Sequence, residues 1–248
     1  MYIHDINPVF LSLGPLELRY YGLVYFLGFL LSWIYLKKSK LGKKIFKKEE
    51  HTDDFVFYLI LGVLIFARLF YILFYNPQYY FTNPIEMIKF WHGGMSVHGG
   101  VFGGILGAYI FTRKYKEYKL LELGDIVSIP LAISLAFGRI ANFINGELPG
   151  RIASVSWAVK FPNTEGFRHP SQLYESLKNL IIAFALALRS KKTYRTGELS
   201  ALFLIMYSVL RFGIELLREP EIVLLHLTMG QILSIPLFIL GIWIYKKI

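Results

Sequence analysis

The chain has 248 residues, of which 55% are hydrophobic, 17% aromatic and only 18% charged, a balance that excludes an ordinary soluble domain of this length. The net charge of +10 suggests a nucleic-acid binder only until the basic residues are located, because they sit in particular loops rather than on one face. The absence of cysteine excludes disulfides, thiolate metal sites and a cysteine nucleophile, so any thiol chemistry must use a thiol brought by a substrate.

Apolar runs close to the length of a bilayer crossing recur along the chain, which predicts an all-α polytopic membrane protein with seven transmembrane helices. In chain order the spans are Tyr20–Leu36, Phe55–Tyr75, His98–Thr112, Leu123–Phe143, Gln172–Leu188, Leu199–Leu217 and Met229–Tyr245. Met1–Pro15 lacks the basic start and cleavage site of a signal peptide, so the first apolar run is expected to serve as an anchor. The third span is short and carries Gly99, Gly103 and Gly107 at spacing four, a face on which another helix can approach closely. The fourth and fifth spans are interrupted by polar residues near one end. Between them, Glu147–His169 reads as a small extracytoplasmic head, with short strands expected around Val155–Phe161. The chain is taken as a single integral membrane domain, 1–248.

Alternate loops are basic. Lys37, Lys38, Lys40, Lys43, Lys44, Lys47 and Lys48 follow the first span; Arg113, Lys114, Lys116 and Lys119 follow the third; Arg189, Lys191, Lys192 and Arg195 follow the fifth; Lys246 and Lys247 end the chain. Together they hold most of the 27 basic residues, so the positive-inside rule puts them in the cytoplasm, the N-terminus outside and the C-terminus inside. The charge is a topology signal, and no nucleic-acid partner is expected.

With that orientation, the unusual polar groups of five helices gather in the outer half of the bilayer: Tyr20 and Tyr21, Arg68, His98, Arg139 with Asn142, and Arg211, Glu215 and Arg218 on one helix face. Each has a plain structural reading. Arg68 would be a partner for Glu215 or for a backbone carbonyl, and Arg211 with Glu215 would form an intrahelical pair. Lys178 and Arg19 would snorkel to headgroups. Tyr20 and Tyr21 would be belt aromatics and His98 an interfacial histidine. Asp125 would be a helix-start carboxylate favoured by the dipole. Arg139 and Arg218 fit the plain reading least, since both stand at outer helix ends where a lipid phosphate would lie. The segment Trp91–Gly100 brings glycines that allow close backbone approach and leads into a helix N-terminus suited to an anion. His98 is the titratable group there that could accept a proton near neutral pH.

These residues fall into motifs that resemble the bacterial prolipoprotein diacylglyceryl transferase family. They are Arg19-Tyr20-Tyr21-Gly22-Leu23, Gly93-Gly94-Met95-Ser96-Val97-His98-Gly99-Gly100, Gly138 to Glu147 with Gly150-Arg151, Arg168-His169-Pro170-Ser171-Gln172-Leu173-Tyr174-Glu175, Arg211 to Arg218, and Met229 to Pro236. The resemblance implies transfer of the diacylglyceryl group of phosphatidylglycerol to the lipobox cysteine thiol in the signal peptide of a prolipoprotein. A thioether forms and glycerol phosphate leaves. It implies catalytic roles for His98, Tyr21 and Arg218, and phosphatidylglycerol binding by Arg139, Arg218, Asn142, Asn145, Glu147 and Gly99. It implies no cofactor, and a place in the bacterial cell membrane with the site toward the extracytoplasmic leaflet. No metal is expected either, because the histidines lack paired ligand spacing on one helix. His92 is assigned no role. The alternative class is a small membrane transporter or lipid flippase, which would leave no covalent product.

Overall fold

Helices form at all seven places where the apolar runs predict them. The computed structural model of the protein describes residues 1–14, 16–90, 93–220 and 223–248. The seven are α1 (Tyr20–Lys38), α3 (Glu49–Phe74), α5 (Val97–Lys114), α6 (Leu120–Ile144), α7 (Ser171–Arg189), α8 (Glu198–Ile214) and α9 (Met229–Lys247). Two short helices, α2 (Lys40–Ile45) and α4 (Pro77–Thr82), lie in the connections. Five of the seven long helices, α1, α3, α6, α8 (with the 3-10 turn that continues it to Leu217) and α9, are long and apolar enough to cross a membrane. α5 is diluted by its glycines and α7 by its polar residues. Trp91 and His92 lie outside the described residues.

The distribution of apolar side chains is that of a protein surrounded by lipid. On α7 the buried residues include Gln172, Glu175, Lys178 and Asn179, whereas Leu177, Leu180, Ile181 and Phe184 are exposed. A helix in water would bury the second set and expose the first. In a bilayer the polar groups must find partners inside the protein and the apolar ones can face the acyl chains.

Contacts divide the chain into two units, Met1–Tyr35 with Gly124–Ile248, and Leu36–Leu123. In the second unit the core contact is between α3 and α5, and its close approach rests on glycine. A Cβ at Gly103 would meet Phe66 Cβ at 2.8 Å, one at Gly99 would meet Phe70 Cβ at 2.7 Å, and one at Gly107 would meet the Tyr58 carbonyl carbon at 2.9 Å. The glycine face is a packing face, as its spacing predicts. α5 starts at Ser96, whose hydroxyl accepts from the Gly99 N–H.

In the first unit α7 packs on α8, and α8 on α9. α6 is tied to α8 by Asp125. Its carboxylate accepts from the Gly197 and Ser200 N–H groups at 2.6 and 2.8 Å, so it caps the start of α8 rather than its own helix. α9 opens with a capping box between Thr228 and Gln231. The small strands are peripheral. β1 (Tyr2–Ile3) pairs in parallel with β4 (Val159–Lys160), β2 (Val9–Leu13) pairs with β3 (Leu16–Arg19), and β5 (Val223–Leu224) pairs with β6 (Leu227–Thr228). Of the strand structure expected around Val155–Phe161, only Val159–Lys160 forms, because its partner is the distant N-terminus. Isolated bridges Gly150–Arg218 and Ile152–Arg168 bind the head segment to the end of α8 and to itself.

Candidate functional site

The site is built around a buried carboxylate. Glu175 stands one turn into α7 with no solvent-exposed surface. Its Oε1 is 2.6 Å from Arg211 Nη1 on α8, and its Oε2 is 2.9 Å from Lys178 Nζ and 3.8 Å from Arg139 Nε on α6. Arg211 reaches on to Glu215 at 2.7 Å, and Glu215 lies 3.7 Å from Arg218 Nε. Three helices thus contribute an alternating chain, Arg139–Glu175–Arg211–Glu215–Arg218, with Lys178 on its flank. Four cations face two carboxylates here. Inside a membrane protein such an excess of positive charge is costly unless an anion joins it.

Local structure explains why these groups meet. Arg211 and Glu215 are four residues apart, one above the other on α8 and the turn that continues it. Gly230 makes room for Glu215: a Cβ there would sit 2.5 Å from its carboxyl carbon. Arg218 ends the turn in an extended conformation, and the head segment fixes its backbone. Arg151 Nε donates to the Arg218 carbonyl at 3.0 Å and the Arg151 N–H to the Leu217 carbonyl at 2.9 Å. Gly150 has no side chain because one would meet the Leu217 carbonyl and His169 Cβ.

The end of α6 forms the other wall. Gly146, at φ +69°, turns the chain out of the helix, a conformation that favours glycine. Glu147 folds back over that end and accepts from Asn142 Nδ2 at 3.0 Å and Asn145 Nδ2 at 3.1 Å. Leu148 follows at φ +55°, a strained position for leucine, and is secured from the start of α7. Ser171 Oγ donates to the Leu148 carbonyl at 3.0 Å, and Gln172 Nε2 to the Glu147 carbonyl.

The three conspicuous arginines differ in how far their donors are used. Arg68, on α3 in the other unit, is buried and donates to the carbonyls of Glu86, Met87, Lys89, Gly93 and Gly94. It clamps the backbone at residues 86–89 and 93–94, which decides for the backbone carbonyl among the two partners its sequence position suggests. Arg218 is also buried, yet its Nε has no hydrogen-bond partner among the described residues. Among the described residues Arg139 makes one side-chain hydrogen bond, at 3.3 Å to Asn142 Oδ1. A guanidinium carries five donors, so Arg139 and Arg218 keep most of theirs for something else.

The remaining expected residues are placed as follows. Tyr21 is half-buried at the second position of α1. His98 is exposed at the second position of α5. Gly99 is buried against α3, and its N–H donates to Ser96 Oγ. Asn145 Oδ1 is a buried acceptor without a partner among the described residues. Lys178 does not snorkel. It is buried on Glu175, with its ammonium 3.8 Å from the Tyr207 ring centroid. Arg19, by contrast, is exposed and pairs with Glu17. Sequence reasoning missed Glu175 and Lys178 as site residues. The signal was present in two charges three residues apart within an apolar run.

A family model described as prolipoprotein diacylglyceryl transferase matches residues 8–246. The chain belongs to that family. It is 45% identical over 248 residues to the phosphatidylglycerol--prolipoprotein diacylglyceryl transferase of Rickettsia rickettsii, covering 96% of this chain and 95% of the relative. The proteins of the same name from Rickettsia conorii and Rickettsia bellii are 44% and 46% identical, covering 96% and 98% of this chain. The family match embraces every motif from Arg19 to Pro236 and all the residues of the buried ion chain.

Proposed function

We propose that this protein transfers the diacylglyceryl group of phosphatidylglycerol to the lipobox cysteine of prolipoproteins. The observation that carries the reading is the pair of under-used guanidinium groups, Arg139 and Arg218, at the two ends of a buried chain with surplus positive charge. An anionic lipid phosphate balances that surplus and takes bidentate hydrogen bonds from planar guanidinium groups. Asn145 Oδ1, beside Glu147, supplies an acceptor suited to a hydroxyl of the glycerol headgroup.

In the reaction the substrate thiol loses its proton, with His98 or Tyr21 as the acceptor. The thiolate attacks the diacylglycerol carbon bonded to phosphate oxygen. The C–S bond forms, the C–O bond breaks, and glycerol phosphate leaves with the bonding electron pair. Arg139 and Arg218 stabilise the charge that grows on the departing phosphate. Asn142 and Glu147 orient Arg139 through the Arg139–Asn142–Glu147 hydrogen bonds.

We further propose seven membrane crossings in a single membrane domain, N-terminus outside, with the phosphate site toward the extracytoplasmic leaflet of the bacterial cell membrane. Basic residues close α1 (Lys37, Lys38), α5 (Arg113, Lys114), α7 (Arg189) and α9 (Lys246, Lys247), whereas α3 and α6 have none in their last turns and the one in α8, Arg211, is paired inside the protein with Glu175 and Glu215. That alternation supports the orientation. Since the chain has no cysteine, single cysteines at Lys44 and Glu165 can be labelled from either side of intact cells. Labelling of Lys44→Cys from outside would reverse the topology.

The deciding experiment incubates the protein with a lipobox peptide in phosphatidylglycerol vesicles and weighs the peptide. A diacylglyceryl thioether that requires phosphatidylglycerol supports the transferase. Lipid movement between leaflets without any covalent product supports the flippase instead.

A further inference from the structure

Glu175 has two oxygens and three neighbouring cations, and their distances are unequal. Arg211 takes Oε1 at 2.6 Å. Lys178 takes Oε2 at 2.9 Å, while Arg139 is held 3.8 Å from that same oxygen. Lys178 is buried, so solvent does not compete for its ammonium, and the Tyr207 ring closes its other side at 3.8 Å. The lysine comes from the same helix as Glu175, three residues on, and needs no other element to reach it. Arg139 is the only one of the three cations left short of hydrogen-bonding distance to the carboxylate.

We infer that Lys178 is a positioning residue for lipid binding: by occupying Glu175 Oε2 it keeps Arg139 from collapsing onto that carboxylate and leaves its guanidinium for the lipid phosphate. This rests on the phosphatidylglycerol reading of the site. Without the ammonium, Arg139, 3.8 Å from Oε2, is the cation free to close on it, because Arg211 is engaged on Oε1 and on Glu215. A buried carboxylate with an open lone pair draws such a guanidinium into a charge-assisted pair. The arginine is then spent inside the protein, and lipid binding has to break that pair first. The effect falls on the ground-state affinity for lipid, so it appears in KM for phosphatidylglycerol rather than in kcat.

The test measures KM and kcat for phosphatidylglycerol, at fixed lipobox peptide, in the wild type, K178M, K178R, E175Q and the double variant E175Q/K178M. Transfer by the wild type establishes the reaction itself; its absence would refute the transferase reading and is seen before any variant is compared. With the wild type active, K178M raises KM roughly tenfold and leaves kcat within about twofold. K178R, which restores a cation on Oε2, stays within about twofold of wild type in both constants. E175Q/K178M has the same KM as E175Q, because the carboxylate that Lys178 shields is gone. If K178M does not accumulate as folded protein, the E175Q pair decides alone. An unchanged KM in K178M, a loss confined to kcat, or a further rise in KM when K178M is added to E175Q overturns the inference while leaving the transferase reading intact.

Discussion

Arg211 of α8 and Glu175 of α7 meet at 2.6 Å inside the protein, and this contact joins the helix that leads into Arg218 to the one that orders the end of α6. Glu175 has no exposed surface, so its charge is balanced by its cations alone. Glu175→Gln leaves Arg139, Lys178 and Arg211 facing a neutral amide. Removing one partner of a buried pair costs about 3 kcal/mol. We expect the variant to melt several degrees lower in detergent and to transfer more slowly. A variant as stable and as active as wild type would remove Glu175 from the centre of the site.

Arg139→Ala and Arg218→Ala should each slow transfer about a hundredfold, the usual consequence of losing one preorganised electrostatic contact. Neither guanidinium holds the fold together as Arg68 does, so thermal stability should change little. The check is transfer to a lipobox peptide in phosphatidylglycerol vesicles, together with melting temperature. Near-normal rates in either variant would end that arginine's phosphate role.

Helix positions were legible in the sequence because hydropathy is a local signal that needs no partner. The glycine face of α5 was legible for the same reason: Gly99, Gly103 and Gly107 repeat at a spacing that one helix dictates. The site was legible only in part. Arg139 and Arg218 stand out as charges ending apolar runs, but whether Arg211 answers to Glu215, to Glu175 or to both depends on how α7 packs against α8. Lys178 shows the limit most clearly. Alone on an apolar helix it reads as a headgroup contact, and only the neighbouring Glu175 and the Tyr207 ring from α8 turn it inward. The pairing of Val159–Lys160 with Tyr2–Ile3 was illegible, since it joins segments more than 150 residues apart.

Gly230→Ala tests the route from α9 to the arginines. The added methyl would lie 2.5 Å from the Glu215 carboxyl carbon, and that carboxylate must move. Since Glu215 pairs with Arg211 and lies near Arg218, both guanidinium groups lose their reference point. A fall in transfer of roughly tenfold with a raised KM for lipid is expected, the mark of weakened ground-state binding. The same KM as wild type would show that Glu215 can shift without disturbing the phosphate contacts.

Arg68→Ala should behave as a structural lesion. The substitution strands five backbone carbonyls, and buried groups without partners cost about 1–3 kcal/mol each, less whatever solvent recovers. The backbone at residues 86–89 should become the first site of limited proteolysis, with lower stability. Intact stability and unchanged protease resistance would contradict the clamp.

His98→Gln separates a base from a bystander. The imidazole is exposed at the start of α5 and makes no hydrogen bond among the described residues, so the glutamine removes the titrating group without breaking a contact. If His98 takes the thiol proton, the variant loses about a hundredfold in kcat, within the usual range for a general base, and its melting temperature is unchanged. The loss should shrink as the pH rises toward the thiol's ordinary range, about 8.5, where thiolate forms without help. A peptide bearing a more acidic thiol should restore part of the rate for the same reason. A variant with the wild-type rate at every pH would pass the role to Tyr21, and Tyr21→Phe would then be the variant that shows this response to pH and thiol acidity.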